Sequence, residues 1–209
     1  MVEFAAVGMF LTTTSLRDVT VRELVPEIEA WFDDHFIVCM EVSGAGLPSA
    51  MNYVGVYEPH NGWTTVVWPT YFGGLHCEVA GHLSSRLGTV TCSVEVYHSE
   101  TWQHVVYDNG NLVDEYATDP SYLVSDLDNP RAVARRWRGN PEAVARHVGS
   151  SARAIARHYR RNRRSRSFDE WNFAELWADL GILYPVEELS VAATLALPDK
   201  WERALRPAR

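Results

Sequence analysis

The chain reads as an α+β protein: a mostly antiparallel sheet built from two helix-strand-strand-strand units with the helices on one face, followed by a helical C-terminal tail. Three observations predict this. Residues 89–98 alternate, with Val90, Cys92, Val94 and Val96 on one side and Thr91, Ser93, Glu95 and Tyr97 on the other; a period of two is that of a half-buried strand. Asn61-Gly62 and Asn109-Gly110 each separate two β-prone runs, and Asn-Gly is favoured in two-residue hairpin turns because both central residues need φ > 0. From Asn129 onward the pattern changes: Ala-Val-Ala-Arg or Ala-Ile-Ala-Arg recurs at 132, 143 and 154, an 11-residue repeat of helical character.

Taken in order, Phe4–Thr13 reads as the first strand. Thr20 followed by Glu23 is a capping-box pattern. Pro26 interrupts it, since a proline inside a helix removes a hydrogen bond and crowds a carbonyl one turn back. The main helix is therefore expected over Pro26–Asp34, with Ile28, Trp31 and Phe32 as its apolar stripe. Phe36–Val42 reads as a buried strand, and Asn52–Tyr57 and Trp63–Trp68 as a hairpin. Leu75, Val79, Leu83 and Leu87 recur every four residues and end at Gly88, which predicts an amphipathic helix with a glycine stop. Strands then follow over Thr89–His98, Thr101–Tyr107 and Leu112–Tyr116. The loose duplication is 20–72 against 73–123, each unit ending in Pro-x-Tyr.

With Asn109-Gly110 as the loop, the register sets Tyr107 opposite Leu112, Val106 opposite Val113 and Val105 opposite Asp114. One face then carries Val90, Val94, Val96, Val105, Tyr107, Leu112 and Tyr116. The other carries Tyr97, Trp102, His104, Val106 and Val113. Asp114, on the apolar face, needs a donor: a backbone amide or a tail arginine.

In the tail, Asn129-Pro130 and Asn140-Pro141 each combine an N-cap with a first-turn proline. Helices are expected near 130–138, 141–148 and 152–164. Each presents an apolar pair: Val133/Trp137, Val144/Val148 and Ile155/Tyr159. Ser167 and Glu170 cap a further helix through Leu180. Pro185–Leu195 and Pro198–Leu205 are expected as short helices.

Composition bounds the function. Of 209 residues, 46% are hydrophobic and 22% charged, the balance of an ordinary globular chain. No apolar run is long enough to cross a membrane, and Glu3 stands where a signal peptide would be basic, so a cytoplasmic location is expected. The 3 cysteines show no C-x-x-C spacing and are expected to be reduced. Charge divides the chain into two expected domains. Residues 1–128, an acidic α+β body, carry 18 acidic and 3 basic residues; residues 129–209, an Arg-rich helical tail, carry 9 acidic and 16 basic ones.

No constellation of catalytic or metal-binding residues emerges, and no cofactor or metal site is expected. His76-Cys77-Glu78 lacks the second half of a zinc-deaminase pattern; the default is a helix cap with a buried cysteine. Gly44-Ala45-Gly46 lacks the third glycine and the following helix of a dinucleotide loop. The segment Tyr107-Asp108-Asn109-Gly110-Asn111-Leu112-Val113-Asp114, closing in Pro120-Ser121-Tyr122-Leu123 and followed by Gly139-Asn140-Pro141-Glu142-Ala143, resembles a hairpin of uncharacterised bacterial proteins. No activity comes with the resemblance.

The expectation is a non-catalytic protein-interaction or regulatory module of the immunity type. Its partner would be another protein, met by the aromatic surface of Tyr97, Trp102, His104 and Tyr107, with self-association into a homo-oligomer left open. One alternative is nucleic-acid association through Arg135, Arg146, Arg157, Arg160, Arg161, Arg163 and Arg164, which the chain's net charge of −8 opposes. The other is a small-molecule binder or enzyme with a cleft between sheet and tail.

Overall fold

The computed structural model describes residues 10–42, 52–70, 72–97, 101–124, 128–159, 172–184 and 190–205. Its elements are β1 (Phe10–Arg17), α1 (Val21–Asp34), β2 (Met40–Glu41), β3 (Tyr53–Tyr57), β4 (Trp63–Val67), α2 (His76–Leu87), β5 (Val90–Tyr97), β6 (Thr101–Asp108), β7 (Asn111–Ala117), α3 (Pro130–Arg136), α4 (Pro141–Val148), α5 (Ala152–His158), α6 (Asn172–Asp179) and β8 (Val191–Ala196). Single 3-10 turns cover Pro120–Leu123 and Trp201–Arg203. Among the described residues the strands form one sheet in the order β2-β8-β3-β4-β1-β5-β6-β7, antiparallel at every pairing.

The sheet is the middle of three layers. Helices α1 and α2 cover one face through Leu24, Ile28, Trp31, Phe32, Val79 and Leu83, which pack on Leu16, Val54, Val66 and Leu195. Helices α4, α5 and α6 cover the other through Val144, Val148, Ile155, Phe173, Leu176 and Trp177, which pack on Cys92, Val94, Trp102, Val106 and Tyr116. Both faces of the central strands are thus dry, which is why β5 and β6 are buried along nearly their whole length.

Helix α1 begins five residues earlier than expected, at Val21, and runs through Pro26. Pro26, the sixth residue, removes only the bond that an amide there would make to the Arg22 carbonyl. The capping box at Thr20 and Glu23, with both reciprocal bonds formed, offsets that loss. The buried strand expected over Phe36–Val42 shortens to Met40–Glu41. Ile37 is buried, but Phe36, Val38 and Met40 point outward at 94%, 69% and 64% exposure. The strand expected to begin at Phe4 starts at Phe10 among the described residues and extends to Arg17.

The Asn109-Gly110 loop forms as expected, with φ of 49° and 77° and Asp108 and Tyr107 opposite Asn111 and Leu112. A bulge follows. It slips the register by one residue, so that Val106 meets Asp114 and Val105 meets Glu115. At the other end of β6, Tyr97 pairs with Thr101 and Val94 with His104. Cross-strand partners share a face, so Val94, Val96, Trp102, His104, Val106, Asp114 and Tyr116 all point toward the tail helices. The face assignment drawn from the sequence is corrected accordingly: Trp102, His104 and Val106 join the valine face, and Val105 and Tyr107 leave it.

The tail is no separate annex. Part of the segment expected to be helical over Pro185–Leu195 forms β8, which lies between β2 and β3. Residues 137–139 also run along the free edge of β7, with Ala117 N–H donating to the Trp137 carbonyl and Gly139 N–H to that of Glu115, both at 3.0 Å. An edge covered this way is no longer a template for aggregation. The prolines and asparagines of the repeat act as expected: Asn129 and Asn140 accept from amides of the first helical turn, with proline just inside. The capping pair at Ser167 and Glu170 lies outside the described residues.

Candidate functional site

A cleft of about 960 Å³ opens on the face of the sheet that carries α1 and α2. It lies between the loop entering α2, the adjoining ends of β5 and β6, the turn at Asp119–Leu123 and the last segment, Asp199–Leu205. Leu75, Tyr97, Ala117, Tyr122, Leu123, Trp201 and Leu205 give it apolar walls. Tyr97 and Tyr122 meet edge to face with centroids 5.9 Å apart.

The floor is polar. Glu95 and Gln103 are cross-strand partners on β5 and β6, and both are buried. Glu95 Oε1 accepts from the Gly74 amide at 3.0 Å, and Oε2 accepts from Gln103 Nε2 at 2.7 Å. His76 Nδ1 forms an ion pair with the same Oε2 at 3.1 Å. A Cβ at position 73 would stand 2.2 Å from Glu95 Oε1, so the carboxylate reaches the backbone only because residue 73 is glycine.

His76 is the first residue of α2 and fully enclosed. Burial alone would lower its imidazole. The adjacent Cys77, whose Sγ is 3.3 Å from His76 Nε2, and then Glu95 outweigh that and lift it to about 10. His76 and Cys77 do not line the cleft; the charged imidazole backs the Glu95 carboxylate from inside the fold. At the rim stand three carboxylates, Asp119, Asp199 and Glu202, against one ammonium, Lys200. Asp199 accepts from Asn52 Nδ2 at 3.0 Å, and Asp119 caps the turn through Ser121.

A second polar cluster lies on the opposite face, under the tail. Asp114 Oδ1 accepts from the Asn140 amide at 2.6 Å, and Oδ2 from the Tyr159 hydroxyl at 2.8 Å. That hydroxyl is also 2.9 Å from His104 Nδ1. Tyr159 stacks on Tyr116 at 4.1 Å and 2°. Burial pushes Asp114 up to about 6 despite the donors from Tyr159 and Asn140. Burial, helped by the charge on His76, drives His104 down to about 3. The expected donor for Asp114 is thus a backbone amide of the tail, joined by a tyrosine. A tail arginine serves the next residue instead: Arg136 grips Glu115 with two bonds of 2.6 Å.

The four aromatic and histidine positions named from the sequence do not form one surface. Tyr97 lines the cleft. Tyr107, half-buried, lies over Gly81 on the same face. Trp102 and His104 have no exposed area and belong to the opposite face. Among the arginines, Arg135 and Arg146 are exposed, and Arg157 forks to Asp179 at 2.6 and 2.8 Å. Arg160, Arg161, Arg163 and Arg164 lie outside the described residues. Sequence reasoning missed Glu95, Gln103, His76 and Cys77 as a group. The available signal was Glu95, a carboxylate midway along an apolar strand.

Comparison with protein families, with curated proteins and with solved structures gives no match. Among the described residues no helix is long and apolar enough to cross a membrane.

Proposed function

We infer that this chain is a non-catalytic ligand-binding protein whose cleft takes a small organic cation with an apolar body. The observation that carries the reading is the cleft itself. Its volume, about 960 Å³, is at the upper end of the ~300–1,000 Å³ typical of small-molecule sites. Its walls are aliphatic and aromatic, and its few polar groups converge at the floor and rim. Glu95 is already paired with the charged His76 and accepts from Gln103, so the charge that a ligand meets is that of the rim, where acidic groups outnumber Lys200. That imbalance favours a cation and raises its local concentration.

A matched pair of eight-carbon probes, octylamine and octanoate, tests this by calorimetric titration of the full chain. The amine is expected to bind at least tenfold more tightly, with the difference shrinking in an Asp119→Asn/Glu202→Gln variant and at high salt. Equal affinities, tighter octanoate binding, or no binding of either probe would retire the reading.

A second reading, a protein-interaction module, is favoured by the edge at β2. Phe36, Val38 and Met40 alternate outward there, and Phe36 holds a φ of 59°, a conformation that costs energy in a bulky residue. β2 is the outermost strand on that side among the described residues, so an extended segment of a partner protein would add to it. A photo-crosslinker placed at Val38 that yields no protein adduct in cells would remove this reading.

A further inference from the structure

We propose that Cys77 is a thiol–disulfide exchange site, which takes low-molecular-weight disulfides and is activated by the His76–Glu95 pair. This goes beyond the binding reading and does not depend on it.

The geometry is a relay of three side chains. Glu95 is held in place by the Gly74 amide and Gln103. It pairs with His76 Nδ1 at 3.1 Å, and His76 Nε2 lies 3.3 Å from Cys77 Sγ. The imidazole thus lies between a held carboxylate on one side and the thiol on the other. A cation in contact with a thiol favours the thiolate, and the thiolate is the nucleophile. Cys77 also occupies the first turn of the twelve-residue helix α2, where the helix dipole favours negative charge. The Arg136 guanidinium and the Tyr107 hydroxyl also lie within electrostatic reach of the thiol; the carboxylate of Glu115 is forked by that same arginine. Cys77 is partly exposed, where Cys92 is buried.

The same geometry selects the reaction. In acyl transfer the imidazole would have to pass its proton to a leaving amine or alkoxide. His76 is 2% exposed and holds its proton up to about 10, so it is a poor donor for that step. Disulfide exchange has no such requirement, because a thiolate leaves unprotonated. The Cys77 thiolate attacks one sulfur of the disulfide, and a new S–S bond forms to Sγ. The old S–S bond breaks, and the other half departs as a thiolate that takes its proton from water. The disulfide is the sole oxidant, and the product is a mixed disulfide on Cys77.

The other two cysteines are internal controls. Cys39 is half-buried, and burial together with Glu29 pushes its thiol up to about 11. Cys92 is fully buried, and burial pushes its thiol up as well.

The experiment treats the full chain with bis(2-hydroxyethyl) disulfide at pH 7 and follows each cysteine peptide by mass spectrometry. Cys77 is expected to form its mixed disulfide at least tenfold faster than Cys39, while Cys92 stays unmodified. His76→Gln should slow Cys77 by about tenfold and leave the Cys39 rate unchanged; Glu95→Gln should slow it by less. The comparison within the unaltered protein stands even where a variant fails to fold. Modification of Cys39 as fast as Cys77, or a Cys77 rate untouched by His76→Gln in a folded variant, would overturn the proposal.

Discussion

Replacing His104 by Gln should change how stability depends on pH, and replacing Asp114 by Asn should change it in the opposite sense. The two residues share the Tyr159 hydroxyl, yet burial has moved them in opposite directions along the pH axis. His104 falls from 6.5 to about 3, so in the folded protein it stays neutral where the unfolded chain would be protonated. Its contribution is complete above pH 6.5 and is lost as pH falls toward 3. Asp114 rises from 3.8 to about 6, so the folded protein holds a proton that the unfolded chain releases. Its contribution is complete below pH 3.8 and is lost as pH rises through 6. Each unit of difference is worth roughly 1.4 kcal/mol. Between pH 4 and 6 the two slopes nearly cancel in the intact protein. Urea unfolding followed by tryptophan fluorescence from pH 4 to 7 separates them. The advantage of the wild type over His104→Gln should grow by about 3 kcal/mol from pH 4 to 6.5 and then stay level. Its advantage over Asp114→Asn should shrink by about 2 kcal/mol from pH 4 to 6 and level off by pH 7. Two differences with the same slope, or two flat ones, would refute the assignment of charge in this cluster.

Two further predictions bear on how the tail is held. Gly139 has a φ of 76°, and a Cβ there would sit 2.5 Å from the Tyr159 ring; Gly139→Ala should cost about 1–3 kcal/mol, read as a lowered urea midpoint, and an unchanged midpoint would show that the Tyr159 ring yields freely. A chain of residues 1–128 should not unfold cooperatively in calorimetry, because it lacks β8 from between β2 and β3 and α4, α5 and α6 from over Trp102 and Tyr116; a sharp thermal transition from that fragment would make the body an independent domain.

Much of the architecture was legible because its signals are local. Alternation in β5, the Asn-Gly turns, the i, i+4 stripe of α2 and the Asn-Pro helix starts each depend on a few neighbouring residues, and each formed. What failed depended on residues far apart in the chain. Val191-Ala-Ala-Thr-Leu-Ala196 is a short apolar run, which periodicity alone cannot divide between helix and buried strand, and its alanines favour helix. The slot between β2 and β3 decided the matter, and no window around residue 191 contains that slot. The break at residue 128 was likewise a real change of composition, but charge composition governs which surfaces attract, not which strands share a sheet. Arg136 on Glu115 is that attraction at work inside one fold.

The site was hidden for a related reason. In a sheet, a change of one residue in a reversal or a bulge sends the side chains that follow to the opposite face. The β5–β6 reversal pairs Tyr97 with Thr101, and the bulge after Tyr107 shifts β7 by one. Both were invisible in the alternation of any single strand. Read with the wrong parity, Trp102 and His104 shared a surface with Tyr97. With the observed parity Glu95 faces Gln103 and the start of α2, and the two expected surface residues vanish beneath the tail. Glu95 gains its Gln103 partner only through that pairing. The chemistry of this chain thus rests on register, which local sequence patterns left open and tertiary packing set.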